Sequence, residues 1–212
     1  MMKLLIAIPT TDFIHAGFVS SLLNLMCHLN REGVKYEVKL ETGTLVYLAR
    51  NSLASYAVNE GFTHVLWIDS DMVFQEDIVE TLQWCKKPFV CGVFQSRRPP
   101  FVSCLFSNIN KSDVKRIDEY PTEPFRVAGC GFGLVLMETQ VIRDVMDRVG
   151  QVNCFMPTAD FGEDVGFCKR ATDCGYEIWC EPNARVGHIA HIPVYEEDHR
   201  RAIKEREEMR KC

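Results

Sequence analysis

The first hundred residues alternate between two hydrophobic periods. Lys3 to Ile8 reads as a buried strand ended by Pro9-Thr10-Thr11-Asp12, and Phe18, Leu22, Leu25, Met26 and Leu29 then recur at helical spacing until Gly33. Tyr36 to Leu40 alternates as a second strand, and Leu48 to Glu60 is helical and stopped by Gly61. Val65 to Ile68 is apolar on both faces, as a central parallel strand should be. Glu76 and Asp77 open a helix whose Ile78, Val79 and Leu82 face inward, and Phe89 to Val93 is the next strand. Strand and helix in alternation predict an α/β fold with a mostly parallel central sheet flanked by helices and joined by right-handed crossovers.

The second half loses that rhythm. Residues 95–126 are rich in Arg, Pro, Ser and Asn, with Phe101 to Phe106 the best candidate for a strand; substrate-facing loops are expected here. Gly129, Gly131 and Gly133 lead into a strand, Leu134 to Met137, and a helix carrying Val141, Ile142, Val145, Met146 and Val149 that ends at Gly150. A further helix starts at Glu163-Asp164 and stops near Gly175, followed by a strand from Glu177 to Cys180. Beyond Val194 the chain is rich in Glu, Arg and Lys. Residues 1–194 are therefore expected to form a single catalytic domain, and 195–212 a charged helix or a linker to a downstream domain.

Composition narrows the classes. A chain of 212 residues with 47% hydrophobic side chains can bury one substantial core, and its formal charge of −5 argues against a broad nucleic-acid footprint, which needs clustered cations. No apolar run approaches the ~20 residues of a membrane span, and the segment before Pro9 is too short for a signal peptide. Ten cysteines without an export signal point to the cytoplasm and to free, mostly buried thiols; no Cys-x-x-Cys pair suggests zinc. The sequon Asn110-Lys111-Ser112 then carries no consequence.

The candidate chemistry centres on Asp69-Ser70-Asp71, where the third strand runs out. Residues i and i+2 of a strand share a face, so both carboxylates can face the crevice at the carboxyl edge of the sheet, where open α/β sheets bind ligands. Two hard oxygen donors suit Mg2+ or Mn2+ holding a diphosphate, although a solvated Asp-x-Asp turn is the commoner fate of such a pair. Imidazole can complete the shell of Mn2+; His188 is the first candidate and His191 the reserve. Arg50 and the pair Arg97-Arg98 could grip phosphate. Glu163 and Asp164 are ordinary first-turn acids, or a base for an incoming hydroxyl. Gly129, Gly131 and Gly133 precede a strand, so they form no dinucleotide fingerprint and instead permit close backbone approach or a tight turn. Asp160-Phe161-Gly162 lacks the other kinase motifs and matches by chance.

Taken in order, Ile8-Pro9-Thr10, Ala49-Arg50-Asn51, Asp69-Ser70-Asp71, Gly131-Phe132-Gly133, Glu163-Asp164 and His188 resemble the GT-A-type, nucleotide-sugar-dependent glycosyltransferases over nearly the whole chain to His191. Within them the chain resembles the N-terminal glycosyltransferase domain of a multidomain protein encoded by a chlorella virus, which implies the host cytoplasm and further domains beyond Cys212. The resemblance implies a nucleotide-diphospho-sugar transferase with a Rossmann-like sheet, a UDP-sugar donor, Mn2+ (or Mg2+) and a glycan acceptor. Pro9, Thr10 and Asp12 would hold the base with Arg50 nearby. Asp69 would face the ribose or reach the metal through water, and Asp71 would bind the metal directly with His188. Asp164, with Glu163 as substitute, would activate the acceptor in an inverting enzyme, or merely orient it in a retaining one. Three alternatives are weighed: a non-catalytic nucleotide-sugar or glycan-binding module; a phosphatase of the haloacid-dehalogenase type, which wants Thr where this chain has Val73; and a sugar nucleotidyltransferase of related fold, whose glycine- and arginine-rich first loop is replaced here by Pro9-Thr10-Thr11-Asp12.

Overall fold

The computed structural model describes residues 2–190 together with Glu196, Glu197, Arg200 and Ile203. The chain opens with β1 (Lys3–Pro9), α1 (Ala16–Arg31), β2 (Lys35–Glu41), α2 (Val46–Asn59) and β3 (His64–Ile68). A two-residue strand, β4 (Met72–Val73), precedes α3 (Ile78–Gln83) and β5 (Phe89–Val93). The less regular half holds β6 (Leu105–Asn110), β7 (Asp113–Arg116), β8 (Phe125–Val127) and β9 (Gly129–Cys130), then β10 (Leu134–Glu138) and α4 (Thr139–Val149). After a 3-10 turn come α5 (Glu163–Asp173), β11 (Ile178–Arg185) and β12 (Gly187–His188).

The seven-stranded sheet has the order β2-β1-β3-β10-β5-β11-β8. β2, β1, β3, β5 and β11 run one way, while β10 lies antiparallel between β3 and β5, and β8 is antiparallel to β11. The sheet is thus mostly parallel, as its apolar strands predict, with one central strand reversed. Hydrophobic periodicity carries no strand direction, so the reversal is invisible in the pattern. The expected strand at Phe101 to Phe106 is displaced: β6 begins at Leu105 and forms a hairpin with β7, and β9 joins it as a small second sheet. Phe101 instead sits in a tight turn at φ 56°, its N–H bonded to the Arg98 carbonyl.

Two apolar layers sandwich the sheet. One side packs Phe18, Leu25 and Leu29 of α1 and Ile78, Val79 and Leu82 of α3. The other side holds Trp67, Phe89, Phe132, Phe155 and Phe167, all essentially inaccessible to water. Phe155 and Phe167 stack with centroids 4.4 Å apart, and Phe132 meets Trp67, Phe155 and Phe167 edge-on. Truncating one such ring is expected to cost about 3–5 kcal/mol. This cluster is the rigid floor beneath one side of the site. Among the described residues nine cysteines are free thiols, of which Cys91, Cys130, Cys154, Cys168 and Cys180 are buried small hydrophobes, as expected. His191 and the boundary at 194 lie outside the described residues; Glu196, Glu197, Arg200 and Ile203 of the expected terminal helix are helical. Among the described residues no helix is long and apolar enough to cross a membrane.

Candidate functional site

β3 delivers Asp69, Ser70 and Asp71 to the carboxyl edge of the sheet. The chain then turns, with the Met72 N–H bonded to the Asp69 carbonyl, and β4 pairs antiparallel with β12 so that His188 lies opposite Met72. The Ile189 N–H donates to the Asp71 carbonyl at 2.8 Å, which locks the two segments together. His188 Nε2 consequently lies 3.2 Å from Asp71 Oδ2, while its Nδ1 is 2.8 Å from the Gln95 carbonyl. Since a carbonyl can only accept, Nδ1 carries a proton and Nε2 faces the carboxylate. Arg97 Nη1 reaches the same Oδ2 at 2.6 Å. Burial would raise the Asp71 pKa, but the His188 hydrogen bond and the charges of His188 and Arg97 outweigh it and hold it below the usual range. The His188 pKa is raised: burial disfavours its cation, but the Asp71 and Gln95 bonds win.

Asp69 has a different environment. Its Oδ1 accepts from Arg50 Nη2 at 2.9 Å, and Arg50 Nη1 donates to Glu163 Oε1 at 2.8 Å. The Arg50 side chain is only 3% exposed and its guanidinium lies 5.2 Å from the Phe132 ring centre, a cation–π distance. α2 thus places a buried cation between Asp69 and the start of α5. Withdrawal from water raises the Asp69 pKa, helped by Asp71 and Glu163, against the lowering effect of Arg50. Burial and the neighbouring Glu163 likewise raise that of Asp164, whose Oδ1 accepts the Val165 N–H at 2.7 Å.

Two adjoining clefts share these residues. One, of about 340 Å³, is bounded by Pro9, Thr10 and Val46 and by Asp69, Ser70, Asp71, Arg97 and His188. The other, of about 400 Å³, is lined by Glu163, Asp164, Arg98, Cys104, Phe106 and Arg116, again with Asp69, Arg97 and His188 in common. Asp12 belongs to neither; it lines a side recess with Thr10, Thr11, Gly43 and Thr44. Gly131 and Gly133 line the second cleft, but their lack of Cβ makes room for protein. A Cβ at Gly133 would lie 2.3 Å from Met72 Cε and one at Gly131 2.8 Å from the Phe94 ring.

Sequence reasoning placed no role on Thr44, Gln95 or Arg116. Thr44 and Arg116 come from polar loop or hairpin positions with no periodic signature, and Gln95 acts through its backbone. Among the described residues no three His, Cys, Asp or Glu side chains are arranged to hold a metal ion by themselves. Asp71 faces His188 Nε2 at 3.2 Å, whereas Asp69 is bonded to Arg50.

A mostly parallel seven-stranded sheet with clefts at its carboxyl edge defines a mixed α/β, GT-A-like fold. No family model and no curated protein matches the sequence. Among solved structures, the chain is similar to the catalytic domain of Drosophila beta1,4-galactosyltransferase 7 in complex with xylobiose: 12% identity, 94% of this chain, 79% of that one, TM-score 0.57. It is also similar to A197 from STIV, at 15% identity over 92% of this chain and 97% of that one, with a TM-score of 0.55. At these identities the likeness is one of fold.

Proposed function

We propose that the chain is a metal-dependent glycosyltransferase that moves a hexose or deoxyhexose from a UDP-sugar to a glycan hydroxyl, acting in the cytoplasm as the catalytic domain of a viral protein. The observation that carries this reading is the meeting of two clefts at Asp69, Arg97 and His188, with the Asp71–His188 pair lining the first and Asp164 the second. The likeness to a galactosyltransferase catalytic domain supports it.

The donor lies in the first cleft, its base against Pro9 and Thr10 and near Asp12. The donor set there fits a divalent cation: a carboxylate and an oriented imidazole 3.2 Å apart, aimed at each other, with diphosphate oxygens to supply the remaining positions. Mn2+ (or Mg2+) bound there would stabilise negative charge on the departing diphosphate. Asp71 and His188 would hold it, and Asp69 would contribute through water or the ribose. Arg97, 56% exposed and shared by both clefts, can shift from Asp71 to a phosphate oxygen. Asp164 removes the proton of the attacking acceptor hydroxyl; its raised pKa brings it closer to that of an effective base at neutral pH. Glu163 is tied to Arg50, which favours Asp164 for this role.

A thermal-shift screen of UDP-, GDP- and dTDP-sugars with Mn2+, followed by transfer assays with the stabilising donor, tests the reading. Selective stabilisation by UDP-sugars plus turnover supports it; tight binding with neither transfer nor slow donor hydrolysis means a binding module instead.

A further inference from the structure

A third cleft, of about 480 Å³, lies behind the loop that carries Glu163 and Asp164, between the β6–β7 hairpin, β8 and the outer face of α5. Its size falls within the ~300–1,000 Å³ of small-molecule sites. It shares no lining residue with the second cleft. The floor is apolar and partly aromatic, with Ile109, Val127, Phe161, Tyr176 and Ile178. The rim carries charges in matched pairs. Lys111 bonds to Asp160, Arg126 lies 3.2 Å from Glu177, and Lys169 lies 3.5 Å from Asp173. Three cations against three carboxylates leave no net charge to attract a phosphate or a nucleotide. What remains is an apolar, partly aromatic floor ringed by charge-balanced donors and acceptors, the arrangement that grips the ring faces and hydroxyls of an uncharged sugar.

We propose that this groove binds a neutral linear oligosaccharide. Its position gives the binding a purpose. Asp160 and Phe161 face the groove, and three residues later Asp164 faces the second cleft, so one short loop joins them. A glycan seated in the groove fixes that loop through the Lys111–Asp160 bridge and can present its far end to Asp164. The presenting role rests on the transferase reading; the sugar binding does not.

The test is calorimetric titration with neutral tetrasaccharides of different linkage (xylotetraose, cellotetraose, maltotetraose, chitotetraose), their disaccharides, and an oligogalacturonate as anionic control. The expected result is binding of at least one neutral tetrasaccharide more tightly than its disaccharide, with no comparable binding of the anionic chain. Thr172 is exposed on the groove wall, and its hydroxyl bonds only within its own helix. Thr172→Trp should therefore fill the groove without unfolding the protein and weaken binding at least tenfold, as should Phe161→Ala; a melting curve for each confirms folding. Asp71→Ala should bind the tetrasaccharide as the wild type does. Failure of every neutral chain, preference for the anionic chain, or unchanged affinity in folded Thr172→Trp overturns the proposal. Groove binding without any sugar transfer would retain the groove and reject the transferase.

Discussion

The two clefts meet at Asp69, Arg97 and His188, yet they are built from different material. The first cleft is set mainly at the ends of β1 and β3 and the start of α2, elements whose side-chain directions follow from their period. The second draws Arg98, Cys104, Phe106 and Arg116 from a loop and hairpin and Asp164 from a helix start, brought together only by tertiary packing. Asp69 and Asp71 mark the contrast within two residues. Asp71 is paired with His188 and an exposed Arg97, whereas Asp69 is clamped to a buried Arg50 that also holds Glu163. One carboxylate pairs with an exposed cation, the other with a buried one that bridges two elements.

Removing Arg50 is the harshest way to break that contrast. Arg50→Ala leaves Asp69 and Glu163 without their shared cation and is expected to cost about 3–5 kcal/mol of stability by urea denaturation. Arg97→Ala, at an exposed pair with Asp71, should cost less than about 1 kcal/mol. Equal losses would deny the distinction. Asp71→Ala should leave the metal-free melting temperature near that of the wild type, abolish its rise with Mn2+ and UDP-sugar, and lower transfer about 10³-fold.

Asp164→Asn should reduce transfer about 10²-fold or more while donor affinity is kept. It also carries a stability signature. Because the folded-state pKa of Asp164 is raised, the folded protein holds that proton more tightly than the unfolded chain does. Its contribution is therefore fully present below the ordinary carboxylate pKa and is lost as pH rises through the raised value. Asp164→Asn should remove part of that decline, so stability measured across the acid range becomes flatter and the neutral-pH melting temperature rises. His188→Gln is the mildest of the series: a neutral donor replaces imidazole, and Mn2+ affinity should fall about 10–100-fold in a titration followed by thermal shift.

How much of this was legible in the chain follows the same division. The β/α alternation through Val93, the helix carrying Val141 to Val149 and the placement of Asp69, Asp71 and Asp164 were readable because period and burial coincide there. The reversal of β10 was not, since an apolar strand reads alike in either direction. The β6–β7 hairpin was missed for a different reason: Asp113 to Arg116 is fully exposed and has no apolar alternation to betray it. Arg50 is the instructive case. An arginine in an alanine-rich helix looks like a surface cation or a phosphate ligand, and only the non-local arrival of Glu163 makes it a buried clamp. His188 could be nominated as a possible ligand, but its orientation depends on the Gln95 carbonyl, a backbone group that no side-chain pattern reports.

If Asp71 and His188 hold a divalent ion that serves sugar transfer, turnover of a UDP-sugar across a Mn2+ titration from a chelated baseline should show saturable activation in the wild type and none in Asp71→Ala. Activity indifferent to the metal, or activation retained in Asp71→Ala, would rule out that role.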